Sequence, residues 1–216
     1  DKALYDDLIE RHSAEAQRKL LTHPPDYVAR SIHFLENHDE PRVAAKLSPP
    51  ENHAAALAIL GLPGMRFLHE GQLTGARIKM PVQLGRRPVE PEQAEIKAAY
   101  EKLLATLKKT LVGQGAGQIL APHPAWDGNP THQNFIVVQW QGNGPEFDLV
   151  VVNLEWHASQ CYVPLPVVGL AERNWAMRDL LSGERYERVG SDLAQQGLYL
   201  ELPGYGAQMF HFEPKG

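Results

Sequence analysis

The sequence predicts an α/β part followed by an all-β part built as an antiparallel β-sandwich. Three observations carry this. Ser31-Ile32-His33-Phe34-Leu35 and Met65-Arg66-Phe67-Leu68-His69 are short apolar segments that each run into polar residues, with an Ala-rich helical stretch between them. Strand, helix and strand joined by short links make the pattern of a parallel sheet with a right-handed crossover. From about residue 118, short apolar segments follow one another between Gly and Pro turns, which is the pattern of an antiparallel sandwich. Between the two lies Gly113-Gln114-Gly115-Ala116-Gly117, so we divide the chain into residues 1–115 and 116–216.

Taken in order, residues 3–21 place Leu4, Leu8, Ile9, Ala16, Leu20 and Leu21 on one face, with acids early and Lys19 late, as an amphipathic helix does. His23-Pro24-Pro25 stops it and 26–30 is a connector to the first strand, 31–36. Ser48 caps a helix over 51–60 with proline in its first turn, and Gly61-Leu62-Pro63-Gly64 ends it before the second strand. Residues 76–90, basic and proline-containing, form a loop. Residues 92–111 form the longest helix, with Ile96, Tyr100, Leu103, Leu104, Leu107 and Leu111 as its apolar stripe. The β part is expected to place strands at 135–140, 147–154, 160–165, 186–189, 198–202 and 207–212, while 174–181 fits strand or helix.

Composition narrows the function. The 216 residues include 43% hydrophobic and 22% charged residues, enough for a sizeable core. A net charge of −5 offers no electrostatic footprint for nucleic acid or an anionic membrane, so neither is an expected partner. No apolar run approaches the roughly 20 residues that span a bilayer. The single cysteine, Cys161, excludes an internal disulfide and suits a reducing compartment, which favours the cytoplasm. The start, Asp1-Lys2-Ala3-Leu4-Tyr5, has neither Met nor a signal-peptide pattern and reads as the interior of a longer chain.

The chemistry concentrates in Phe34-Leu35-Glu36-Asn37-His38-Asp39-Glu40-Pro41-Arg42, where a buried strand ends in carboxylates, an amide and an imidazole. Strand ends are where α/β proteins present catalytic groups. Taken alone, Asn37-His38-Asp39 fits a polar loop with a helix cap equally well. His33 and His38, five apart on a strand, point to opposite faces and make a poor metal pair. Gly113 to Gly117 follows a helix, without the Lys-Ser/Thr of a phosphate loop. Trp126-Asp127-Gly128-Asn129-Pro130 lacks the remaining positions of a calcium loop. No metal and no cofactor is expected.

Phe34-Leu35-Glu36-Asn37-His38-Asp39 resembles the last conserved motif of the α-amylase family of glycoside hydrolases, at the end of the seventh strand of a (β/α)8 barrel. About 25 residues on, Pro63-Gly64-Met65-Arg66-Phe67-Leu68-His69-Glu70-Gly71-Gln72 resembles that family's eighth-strand region, except that His69-Glu70 replaces the usual aromatic pair. Val150-Val151-Val152-Asn153-Leu154 and Asp179-Leu180-Leu181-Ser182-Gly183 are similar to the sandwich called domain C, and Lys2 to Leu8 to the start of the sixth barrel helix.

The resemblance implies an incomplete (β/α)8-barrel segment, its last helices and strands, followed by an antiparallel β-sandwich domain C. It implies a retaining enzyme acting on α-glucans or maltooligosaccharides by hydrolysis or transglycosylation, with Asp39 as the transition-state-stabilising carboxylate and His38 binding a sugar hydroxyl. Asn37, Arg42 and Gln72 are the further substrate-binding candidates, with Arg42 and Glu36 also candidates for orienting the motif. The family's nucleophilic Asp and general-acid Glu belong to the fourth and fifth strands, so the chain alone is expected to be inactive and to need the missing N-terminal part of the barrel. Two strands cannot close a barrel. The truncated part must therefore pack on the β part, self-associate through its strand edges, or rearrange. A reading of another class is a non-catalytic carbohydrate-binding or interaction module, with Trp140, Trp156 and Trp175 as a stacking platform.

Overall fold

The computed structural model describes residues 1–83 and 86–215; Leu84 and Gly85 of the 76–90 loop lie outside the described residues. No described helix is long and apolar enough to cross a membrane.

The N-terminal stretch expected as one helix is two, α1 (Lys2–Ile9) and α2 (Ser13–Thr22). Arg11 breaks it by taking a left-handed backbone, φ 63°, which costs a non-glycine residue roughly 1–2 kcal/mol. Its guanidinium offsets this by donating to Glu51 at 2.6 Å and to the Lys46 carbonyl at 3.3 Å. The break lets α2 meet the β half. Ser13 Oγ donates to Glu155 at 2.5 Å, and Gln17 Nε2 donates to the carbonyls of His132 and Phe135, each at 2.7 Å. The connector at 26–30 is a short helix, α3 (Pro25–Arg30), started by proline at its first position.

Strands β1 (Ile32–His33) and β2 (Met65–Arg66) pair in parallel, Ile32 with Met65 and His33 with Arg66. The crossover between them carries α4 (Val43–Lys46) and α5 (Pro49–Gly61). Both strands are shorter than the sequence predicts. Each has only one strand neighbour among the described residues, so little ladder holds the chain extended beyond those two pairs. Their free face is apolar and open: Ile32, Met65 and Phe67 are 45%, 61% and 38% exposed. Helix α6 (Ala94–Leu107) buries Ile96, Tyr100 and Leu103.

The β half holds a six-stranded sheet, order β3-β5-β6-β11-β8-β9, and a three-stranded sheet, order β10-β7-β4. Their strands are β3 (Ala116–Leu120), β4 (His123–Pro124), β5 (Phe135–Gln141), β6 (Phe147–Asn153), β7 (Ser159–Val163), β8 (Asn174–Asp179), β9 (Arg185–Val189), β10 (Leu198–Leu202) and β11 (Ala207–Pro214). The ambiguous 174–181 is thus largely a strand. All pairings within both sheets are antiparallel. A short helix, α7 (Gly190–Gln196), precedes β10 and has no counterpart in the sequence reading.

The six-stranded sheet serves two cores. Ile136, Val138, Trp140, Val150, Val152 and Met209 pack against the helices. Phe135, Val137, Leu149, Val151, Phe210 and Phe212 share the second core with Cys161, Val163, Leu198 and Leu200 of the small sheet. A strand buried on both faces reads as a continuous apolar run, which is why β5 and β6 lack the alternation of a half-exposed strand. Helix α5 is buried from Ala54 to Gly61. At Gly61 a Cβ would fall 2.6 Å from Val150 Cγ1, so the bare glycine sets how closely helix and sheet approach. The helices pack on the β half, yet among the described residues β1 and β2 each keep one edge without a strand partner, so the expectation that packing, self-association or rearrangement would leave no bare strand edges is not met.

Candidate functional site

The polar cluster leaves β1 as a tight loop. Asn37 Oδ1 accepts from the backbone N–H groups of Asp39, at 2.8 Å, and Glu40, at 3.0 Å. This Asx-type turn replaces a strand ladder and throws the next two side chains outward. The His38 and Asp39 side chains are 67% and 74% exposed, with His38 Nε2 3.3 Å from Asp39 Oδ2. Phe34, at the base of the loop, stacks on Tyr5 with ring centroids 5.3 Å apart.

Beneath the loop lies a buried ion pair. Glu36 is fully buried and takes Arg42 Nη1 at 2.7 Å on one oxygen and the Val43 N–H at 2.7 Å on the other. Arg42 also donates to His69 Nδ1 at 2.9 Å, the Glu70 carbonyl at 2.6 Å and the Ile78 carbonyl at 3.4 Å. One guanidinium therefore ties the strand end, the segment after β2 and the following loop together. At Gly71, φ 86° gives the turn after β2, and an added Cβ would crowd the Arg42 guanidinium at 3.0 Å.

Of the further candidates, Arg42 and Gln72 lie beneath the loop rather than open to solvent. Arg42 is 5% exposed and Gln72 is not exposed at all. Gln72 Nε2 donates to Tyr100 Oη at 2.8 Å and its Oε1 accepts from the His69 N–H at 3.1 Å, while Tyr100 donates to Asn52 at 3.0 Å. Burial holds the Tyr100 phenol well above its ordinary range, so it stays a neutral donor. Both side chains support the loop from below, because a buried polar group must spend its bonds on buried partners.

His38, Asp39, Lys79, Pro81, Val82 and Gln83 line an open cleft of about 310 Å³. Lys79 Nζ donates to the Asp39 carbonyl. The sequence reading recognised 76–90 as basic but did not bring it to Asp39; the run of cations was the available signal.

His33 turns away from this cleft. Its Nε2 lies 3.2 Å from the Val28 carbonyl and 2.9 Å from that of Pro63, and burial lowers its pKa. Among the described residues no group of three or more His, Cys, Asp or Glu side chains is placed to hold a metal ion. Burial also pushes the Cys161 thiol up to about 12, which leaves it an inert core residue. The tryptophan platform does not form: Trp140 and Trp175 are 4% and 0% exposed, and Trp156 alone of the three is open, at 73%. Trp140 Nε1 instead donates to the Gly61 carbonyl at 2.7 Å.

No protein-family model matches the chain, and no curated protein sequence matches it. Solved structures do. A maltogenic alpha-amylase, AmyB, from Thermotoga neapolitana is similar at 20% identity and TM-score 0.68, over 96% of this chain and 48% of that one. An alpha-amylase from Geobacillus thermoleovorans is similar at 15% identity and TM-score 0.68, over 100% and 48%. One from Lactobacillus plantarum is similar at 17% identity and TM-score 0.65, over 98% and 46%. The present chain thus spans about half the length of each, and over that span it has the fold of alpha-amylase-type enzymes.

Proposed function

We propose that this chain is the C-terminal portion of a retaining α-amylase-type glycosidase or transglycosylase acting on α-glucans. Residues 1–115 would supply the last helices and strands of a (β/α)8 barrel, and 116–216 its sandwich, domain C. The observation that carries the proposal is the pairing of His38 and Asp39, both exposed on a loop that leaves a parallel strand and is anchored by the buried Glu36–Arg42 pair. Strand ends of this kind are where barrel enzymes keep their reactive groups. The similar Geobacillus enzyme was solved in complex with acarbose.

In this role Asp39 accepts hydrogen bonds from sugar hydroxyls and favours the distorted ring as positive charge develops at the anomeric carbon. His38 donates to a hydroxyl of the same sugar. Asn37 acts indirectly, by holding the turn. The two carboxylates that flank the scissile bond belong to the rest of the barrel. Glu36 cannot serve, because it is buried and committed to Arg42 and Val43. Glu40 is engaged with Lys2 at 3.2 Å. The open apolar face of Ile32, Met65 and Phe67 is where the missing strands would pack.

The test is turnover of maltooligosaccharides by the protein in its full-length form and by residues 1–216 alone. Asp39→Asn should lower full-length kcat by about a hundredfold or more, with maltooligosaccharide binding largely retained. The chain alone should show none. Full activity in Asp39→Asn, or Asp39-dependent turnover by the 216 residues alone, would sink the proposal.

A further inference from the structure

The cleft beside Asp39 carries a charge that a neutral glucan does not call for. Residues 77–87 hold Arg77, Lys79, Arg86 and Arg87 and no acid, in a chain whose net charge is −5. Among the described residues the nearby carboxylates, Asp39 apart, are spent elsewhere. Glu70 pairs with Arg87, Glu90 accepts the backbone N–H groups of Arg77 and Ile78, Glu40 pairs with Lys2, and the Asp39 carboxylate lies against His38. Among the described residues Lys79 gives one hydrogen bond, to the Asp39 carbonyl rather than to its carboxylate. An ammonium has three donors; no described residue takes the others, and they face the cleft that Lys79 shares with His38, Asp39 and Gln83.

The backbone on both sides of this contact is anchored. The Asp39 carbonyl belongs to the turn organised by Asn37, and the adjacent Ile78 carbonyl accepts from Arg42, the same guanidinium that anchors the Glu36 strand end. A cation lining the same cleft as the Asp39 carboxylate, with Arg77 two residues away, adds an attraction that acts only on a charged ligand and weakens with salt.

We propose that Lys79 is a specificity-determining residue and that the cleft takes an α-glucoside bearing an anionic substituent, a phosphate or a carboxylate. This rests on the α-glucan function proposed above and narrows its substrate class. The substituent sits on the Lys79 side of the cleft, while the sugar hydroxyls meet Asp39 and His38.

The experiment measures binding of maltotriose, a monophosphorylated maltotriose and maltotrionate to the full-length protein, as wild type, Lys79→Met and Lys79→Arg, at low and high salt. The expected result is about tenfold tighter binding of a charged probe than of maltotriose at low salt, shrinking as salt is added. The affinity ratio should collapse toward one in Lys79→Met and survive in Lys79→Arg. Preference for both charged probes assigns recognition to charge alone, and preference for one assigns it to that group. Were Lys79 only a prop for the Asp39 loop, Lys79→Met would weaken all three probes together and leave the ratio unchanged, which overturns the proposal. Equal affinity of neutral and charged probes in the wild type also overturns it. Failure of the α-glucan function shows separately, as maltotriose that is neither bound nor turned over by any form, because the charge preference is scored on the charged probes between wild type and Lys79→Met.

Discussion

Arg42 Nη1 donates to the Glu36 carboxylate across 2.7 Å in a place where the two side chains are 6% and 0% exposed. Such a pair is weak support for stability as a whole but costly to break on one side, because the remaining charge is left buried without its partner. Arg42→Met should destabilise the protein by about 3–5 kcal/mol. Arg42→Lys should recover little, since one ammonium cannot reach Glu36, Glu70 and Ile78 at once. Urea denaturation gives the first quantity. Limited proteolysis within 77–90 gives the second, because the loop loses its anchor at Ile78.

Gly61→Ala isolates the contact between α5 and the six-stranded sheet. The added methyl would meet Val150 Cγ1 at 2.6 Å. Overpacking of this kind costs about 1–3 kcal/mol, more than the helix-propensity gain of about 1 kcal/mol from replacing glycine. A lowered denaturation midpoint is expected, with partial recovery in the double variant Gly61→Ala, Val150→Ala. A neutral or stabilising Gly61→Ala would show that the two layers are free to move apart.

Glu51 predicts an acid limb. Burial alone would raise its pKa, but Arg11 and the Ser48 hydroxyl and backbone N–H outweigh it and bring it to about 2. Tyr205 of the β half also donates to it at 3.2 Å. A folded pKa below the unfolded one gives stability that is present above the ordinary value of 4.5 and lost as pH falls toward about 2. The contribution is about 2 kcal/mol once solvent around half-exposed Arg11 is allowed for. Stability measured from pH 6 down to about 2 should fall less steeply in Glu51→Gln than in wild type.

His211 predicts the opposite slope. Its Nδ1 lies 2.7 Å from Asp148 Oδ1, and this bond outweighs burial and raises the imidazole pKa above 6.5. Asp148 is fully buried and also accepts the Leu111 N–H at 2.5 Å, joining the sheet to the segment after α6. Stability from a raised pKa is complete below the unfolded value and is lost as pH rises through the folded one. Melting temperature should decline as pH rises above 6.5 in wild type, and this part of the decline should be absent in His211→Gln. An imidazole NMR titration of His211 with no upward displacement would refute the assignment.

Much of the fold was legible because local rules carried it. Pro49 and Ser48 start α5, Gly61 to Gly64 end it, and the apolar runs at 135–140 and 147–154 became central strands with shifts of a residue or so. The break at Arg11 was not legible, since nothing in its neighbours marks a left-handed residue; the partners that stabilise it, Glu51 and Lys46, are distant in sequence. Helix α7 was missed because its seven residues are mostly polar and only Gly190 and Leu193 are buried. At the site, Asn37, His38 and Asp39 stand together in sequence and in space. Lys79 could not be brought to them by pattern alone.

Sequence by itself determined most of the element types, the parallel crossover between 31 and 69, and the grouping of Asn37, His38 and Asp39, because these depend on neighbours a few residues apart. Only the tertiary structure decided which of those polar groups face solvent. It buried Glu36, Arg42 and Gln72 as a support and left His38 and Asp39 open, because a polar side chain goes inside only where distant partners satisfy it. It also decided that the helices lie on the six-stranded sheet. Both faces of that sheet are apolar, and each needs a layer to cover it.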